Sequence, residues 1–284
     1  MRRLLGCGSA LFLLALMAAP TLCGTPVWAA EKLTLKDPAS DDDGPGRYVY
    51  PTDKNYIPGS FDVLSVDVEE RGEDVVFTVQ VRARLEDPWD SKGWGGNGFS
   101  LQHVQIYIDK DHKEGSGLTD ALPGIHANFK SDEAWDAVVI LHAQGNSRVK
   151  TEVEAKSPAN MAKAVVLPTR TYNTGKNIVG VVSKAELGAP EAGWGYQVLM
   201  QSNEGFPDAK DMLSRKVNEY EGQHRFGGGD DYEGDPHFID MLVAPAQGTS
   251  EEKDKQHEIM GNFESGADEK KNRWVVVPMV YPGK

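Results

Sequence analysis

Asp41, Asp42 and Asp43 stand side by side and are followed by Gly44-Pro45-Gly46. Three adjacent carboxylates in a turn repel one another unless water or a cation lies between them. Calcium suits such a loop, because it accepts six to eight oxygens and tolerates irregular geometry. The segment therefore reads either as a solvated acidic turn or as a calcium ligand set of Asp41, Asp42 and Asp43. Gly227 to Asp231, with Asp235, poses the same choice. The run from Asp109 to Gly115 invites comparison with an EF-hand loop. It fails, because Lys113 and Glu114 occupy the fifth and sixth positions, where that loop needs an oxygen ligand and a glycine.

A second kind of chemistry is aromatic. Trp89 and Trp94 lie in a polar, glycine-rich loop, where a ring is harder to bury than on a strand. An exposed indole can stack on the apolar face of a sugar ring, with Asp90 and Asn97 taking the hydroxyls. The alternative is that the loop folds back and the two rings cap the core. Trp135, Trp194 and Trp274 fall in strand-like patterns and are expected in the core.

Other chemistries are missing. Gly93 to Gly98 matches G-x-G-x-x-G literally, but that fingerprint needs a strand before it and a helix after it. The seven histidines form no H-E-x-x-H, and no G-x-S-x-G elbow is present. With 43 acidic residues, no carboxylate pair of the glycosidase kind stands out. The chain is read as non-catalytic.

The elements that must position these residues begin after a leader. Arg2 and Arg3, the apolar run Leu11 to Ala19, and Val27-Trp28-Ala29-Ala30 have the layout of a signal peptide over residues 1–30. Both cysteines, Cys7 and Cys23, fall inside it, so residues 31–284 are expected to form one disulfide-free domain, exported to the periplasm or the medium. The formal charge of −13 opposes nucleic acid and anionic lipid. No later apolar run is long enough for a membrane span.

Period-two alternation dominates the rest. Val75 to Leu85 is apolar at every odd position, and Leu64, Val66 and Val68 alternate with polar residues. With the connector Glu70 to Asp74 they predict a β-hairpin. Further strands are expected at Phe99–Asp109, with a bulge near Gln102-His103, and at Trp135–Leu141, Met161–Leu167, Ile178–Ser183, Trp194–Gln201, Phe238–Val243 and Trp274–Tyr281. One helix is expected, capped by Thr249 with Glu252 three residues on, running to about Met260 and stopped by Gly261. Asp208–Tyr220 could add a turn or two of helix, and Ser147–Lys176 reads as an inserted excursion. Many short strands joined by long loops predict an all-β antiparallel sandwich with one or two short helices.

Several stretches, taken in order, carry a resemblance: Asp42 to Thr52, Pro58 to Asp62, Asn97 to Gln102, Val104 to Asp109, Arg225 to Gly229, and Asp235 to Asp240. The chain resembles the DOMON-like C-terminal binding module of glucodextranase- and pullulanase-type secreted enzymes over about Asp37 to Tyr281. The resemblance implies a jelly-roll-like sandwich of the family-9 carbohydrate-module type. It also implies association with a polysaccharide or cell-surface glycan, and often structural calcium, which is carried over to Asp41, Asp42 and Asp43. Some DOMON relatives hold haem between Met and His ligands, for which Met200 and His103 are the strand-borne pair. Such residues more often pack a core, so haem is the weaker expectation. A purely structural envelope protein shares the same fold.

Overall fold

The computed structural model describes residues 32–230, 234–266 and 268–282. The expected leader and Asp231 lie outside the described residues. In chain order the first strands are β1 (Leu33–Lys36), β2 (Val63–Arg71), β3 (Asp74–Val81), β4 (Gln102–Asp109), β5 (Ala127–Asn128) and β6 (Ala137–His142). They continue with β7 (Val165–Val166), β8 (Arg170–Asn173), β9 (Asn177–Ser183), β10 (Gly195–Ser202), β11 (Asp240–Met241) and β12 (Val275–Val276). The α-helices are α1 (Asn146–Lys156), α2 (Ala159–Ala164), α3 (Lys184–Leu187) and α4 (Ser250–Gly261).

The strands form two five-stranded sheets, β1-β2-β3-β9-β8 and β11-β10-β4-β6-β7, with β12 and β5 as a small parallel pair. The fold is an all-β sandwich. Val104, Ile106 and Ile108 of β4 pair with Met200, Val198 and Tyr196 of β10, and these side chains share the inner face. The sheets approach each other closely at Gly180 of β9, where a Cβ would stand 2.3 Å from Leu141 Cδ2 of β6. Only glycine fits there.

The hairpin of β2 and β3 forms as expected, with a shorter turn at Gly72-Glu73, because Arg71 already pairs with Asp74. The first sheet keeps one face toward solvent, so its alternation survives in the sequence. The second sheet is covered on both faces: every residue of β4, β6 and β10 is buried. Its outer face carries His103, Gln105, Gln201 and Gln197, hidden beneath the long loops. That outer polar layer explains why the phase of Phe99–Asp109 reads as slipped. The strand starts only at Gln102, and no bulge interrupts its pairing with β10.

Four expected segments change. Met161–Leu167 is mostly helix, since Ala159–Ala164 forms α2 and only Val165–Val166 pairs. Phe238–Val243 forms a strand of only two residues, and Trp274–Tyr281 one of two residues plus an isolated bridge from Val280 to Tyr196. Asp208–Tyr220 contains no helix. The capped helix does form as α4. Thr249 is its N-cap, and Glu252 accepts the backbone N–H groups of Gln247, Gly248 and Thr249 at 2.9, 2.7 and 3.0 Å.

Candidate functional site

Four aspartates meet at one edge of the sandwich. Asp37 follows β1, Asp41 lies in the next loop, Asp62 precedes β2 and Asp240 opens β11. The strands β1 and β2 close one side of the first sheet, and β11 closes the second. A direct bond ties the seam, from the Val63 N–H to Asp240 Oδ2 at 2.7 Å. Asp37, Asp41 and Asp240 each bring a carboxylate oxygen within 4.8 Å of the other two. All three are buried, and neither oxygen of Asp37 or Asp41 has a hydrogen-bond partner. The nearby cation Arg82 is engaged with Asp62 and faces Asp42.

Burial first, and mutual repulsion next, push the Asp41 carboxyl up to about 8 and hold Asp37 and Asp240 well above the carboxylate range. A buried carboxylate left unpaired is expensive, so this cluster is either protonated or matched by a cation. The donors are all hard oxygens, and their spacing suits an ion held at about 2.3–2.6 Å from each ligand, the range for calcium. Zinc would call for nitrogen or sulfur. The residues present fit calcium.

Of the three sequence candidates, Asp41 alone joins this set. Asp42 accepts the Tyr50 hydroxyl and the Gly59 N–H, and Asp43 pairs with His257 Nε2 at 2.8 Å. Asp37 and Asp240 are 203 positions apart, and nothing local in the sequence connects them. The loop compared with an EF-hand also gathers carboxylates, those of Asp109, Asp111 and Asp136. There the buried oxygens are already used: Asp109 accepts the N–H groups of Asp111 and His112 and the Tyr281 hydroxyl.

The aromatic loop behaves differently from the acidic one. Residues Ser91–Trp94 form a 3-10 turn, and the glycine-rich segment then leads into β4 without a helix, which removes the dinucleotide reading. Gly96 allows a tight approach to the end of β6, where a Cβ would lie 2.5 Å from the Ala143 carbonyl. Asn97 bonds the same strand end, donating to the His142 and Gln144 carbonyls at 2.7 and 3.0 Å. The Trp94 indole N–H is fixed on the Trp89 carbonyl at 2.9 Å.

The start of β4 and the ends of β6 and β10 lie together, since His103 pairs with both His142 and Gln201. The connections leaving that end enclose a cleft of about 500 Å3. Its apolar walls are Trp89, Trp94 and Phe206, with Trp94 41% and Phe206 94% exposed. Trp89 is half-buried and packs on the core as well as lining the cleft. Gln144, Arg148 and Asn203 supply the polar lining. Asn203 is buried, donates to the Ser100 carbonyl at 2.6 Å, and keeps an Oδ1 with no partner. Asp90 is exposed and does not line this cleft, nor does Asn97. Phe206, Arg148 and Asn203 carried no local signal in the sequence.

The haem pair is separated. Met200 lies opposite Val104 on the inner face, while His103 lies on the outer face, because successive strand residues point to opposite sides. His103 instead packs against His142, ring centroids 4.4 Å apart, and burial holds both imidazoles neutral.

The described sandwich thus carries an aromatic cleft at one end of its second sheet and a carboxylate cluster at its edge. The family model described as the C-terminal binding module, SLH-like, of glucodextranase matches residues 33–278, from β1 past β12. The chain belongs to that family. Its domain is a binding module rather than a catalytic one, of the kind that serves carbohydrate binding or cell-surface attachment. No curated protein matches the chain. No helix of the described residues is long and apolar enough to cross a membrane.

Proposed function

We propose that the protein is an exported, non-catalytic carbohydrate-binding module that holds a sugar in the cleft of Trp89, Trp94 and Phe206. The carrying observation is the exposure of Trp94 and Phe206 beside an unpartnered, buried Asn203 Oδ1. The two rings offer flat apolar faces for pyranose stacking, and the amide oxygen accepts a hydroxyl. The binding surface is built on strand ends and a short helix, so little order has to be gained when a glycan docks. Calcium belongs to the same proposal, held by Asp37, Asp41 and Asp240. It would neutralise the buried carboxylates and clamp the seam between β1 and β11, supplying rigidity and no chemistry.

Electrophoresis of residues 31–284 in gels containing soluble polysaccharides tests the reading. Retardation in at least one glycan gel, lost in Trp94→Ala, is the expected result. Equal mobility of wild type and variant in every gel would overturn it.

A further inference from the structure

The polar side of the cleft has a charge opposite to that of the molecule. The chain is strongly acidic, yet no carboxylate lines the cleft; its polar groups are Arg148, Gln144 and Asn203. Sites for neutral sugars gain much from carboxylates, which accept hydroxyl hydrogens in charge-assisted bonds. Here the one charged group is a guanidinium, which can only donate.

Two further features raise the positive potential. The helix α1 begins beside the cleft, between Gln144 and Arg148, with Gly145 as its N-cap. Its first turn contains no acidic residue and no side-chain cap, and Arg148 stands where a carboxylate would complement the dipole. Glu152 Oε1, 2.7 Å from Arg148, is also part of a carboxylate that meets Lys156 at 2.8 Å, so one anion is shared between two cations. Glu204 is shared in the same way by Arg215 at 3.1 Å and Arg225 at 3.7 Å, and the Arg215 guanidinium lies 5.7 Å over the Trp89 ring. Beside the first cluster, Asp208 and Asp211 meet Lys216 at 3.3 and 3.6 Å, away from the residues that line the cleft.

We infer that the cleft selects glycans carrying carboxylate groups, uronic-acid residues, with the sugar ring on Trp94 and the carboxylate on Arg148 at the amino end of α1. The inference rests on the proposed sugar-binding role of this cleft. The Arg148 side chain is 46% exposed, and with Nη2 on Glu152 it offers its Nη1 and Nε edge to an incoming carboxylate.

Titration calorimetry at low salt, with tetragalacturonate and maltotetraose as probes, separates the two layers of the argument. The uronate should bind at least tenfold more tightly than the neutral sugar, and should weaken as sodium chloride is raised. Arg148→Gln should lose at least tenfold for the uronate with an unchanged melting temperature, since Lys156 still pairs Glu152. Arg148→Lys should retain part of that affinity. Uronate binding that ignores both salt and Arg148→Gln would overturn the inference. Trp94-dependent binding of maltotetraose with none of the uronate would overturn the charge selection and leave the cleft standing. Binding of neither probe would overturn the inference, while the gel retardation alone decides the sugar-binding role of the cleft.

Discussion

Single residues of the proposed sites differ in what holds them and in what they leave open. Trp94 fixes its indole nitrogen on the Trp89 carbonyl and leaves its face free, while Phe206 is held only through its backbone, where its N–H meets Glu204 Oε1 at 3.1 Å. Alanine at either ring should cost roughly 1–3 kcal/mol of glycan affinity, the scale of burying one aromatic side chain. Neither change should lower the melting temperature, as a thermal melt beside the titration will check. Asp41 makes the opposite case. At pH 8.5, above its raised value of about 8, its carboxylate is charged and buried. Asp41→Asn should therefore raise the melting temperature in chelator while removing the response to added calcium. Asp43→Asn should leave that response intact, because Asp43 serves His257. A loss of calcium response in Asp43→Asn, with none in Asp41→Asn, would favour the contiguous acidic turn over the assembled trio.

At the scale of elements, the close passage of β9 under β6 and the cap of α4 fix the frame. Gly180→Val should destabilise by about 1–3 kcal/mol, since Leu141 has no room to retreat in a packed core. Glu252→Ala should cost about 2–3 kcal/mol by freeing three backbone donors at once, and chemical denaturation measures both. Elements with a half-exposed pattern could be read directly. The β2–β3 hairpin alternates because one face meets water, and α4 announces itself through Thr249 and Glu252. The helix α1 could not be read, because its buried face is only Val149, Glu152 and Val153 in an otherwise charged segment. The cleft and the aspartate trio were half legible. Trp89, Trp94 and Asp41 stood out in loops of odd composition, whereas Phe206, Asn203, Arg148, Asp37 and Asp240 arrive from distant segments. Only the pairing of β4 with β6 and β10, and the seam of β1 with β11, brings them in.

For the molecule as a whole, the proposed calcium site would couple stability to pH and to the metal. A carboxyl held up to about 8 in the metal-free fold keeps a proton that the unfolded chain releases near its ordinary value of ~4. The metal-free fold should thus lose stability as pH rises from about 4 to about 8. Calcium at the proposed site would take the place of those protons, so its stabilisation should grow across the same window, reaching about 2.7 kcal/mol at a hundredfold excess over Kd. Melting curves in chelator and in calcium at pH 5 and pH 8 will show the difference; equal shifts at the two values would contradict the assignment to Asp37, Asp41 and Asp240. Asp240 pairs with Met200, three residues before Asn203 of the cleft, yet none of the three aspartates lines it, so calcium is expected to act on the frame alone. The most direct measurement of the central claim is a calorimetric titration of a bound oligosaccharide into wild type and the Trp94→Ala/Phe206→Ala double variant, both fully folded and calcium-loaded. Saturable binding by the wild type, weakened at least a hundredfold in the double variant, is the predicted result; binding of equal strength by both would place the glycan elsewhere and contradict the account.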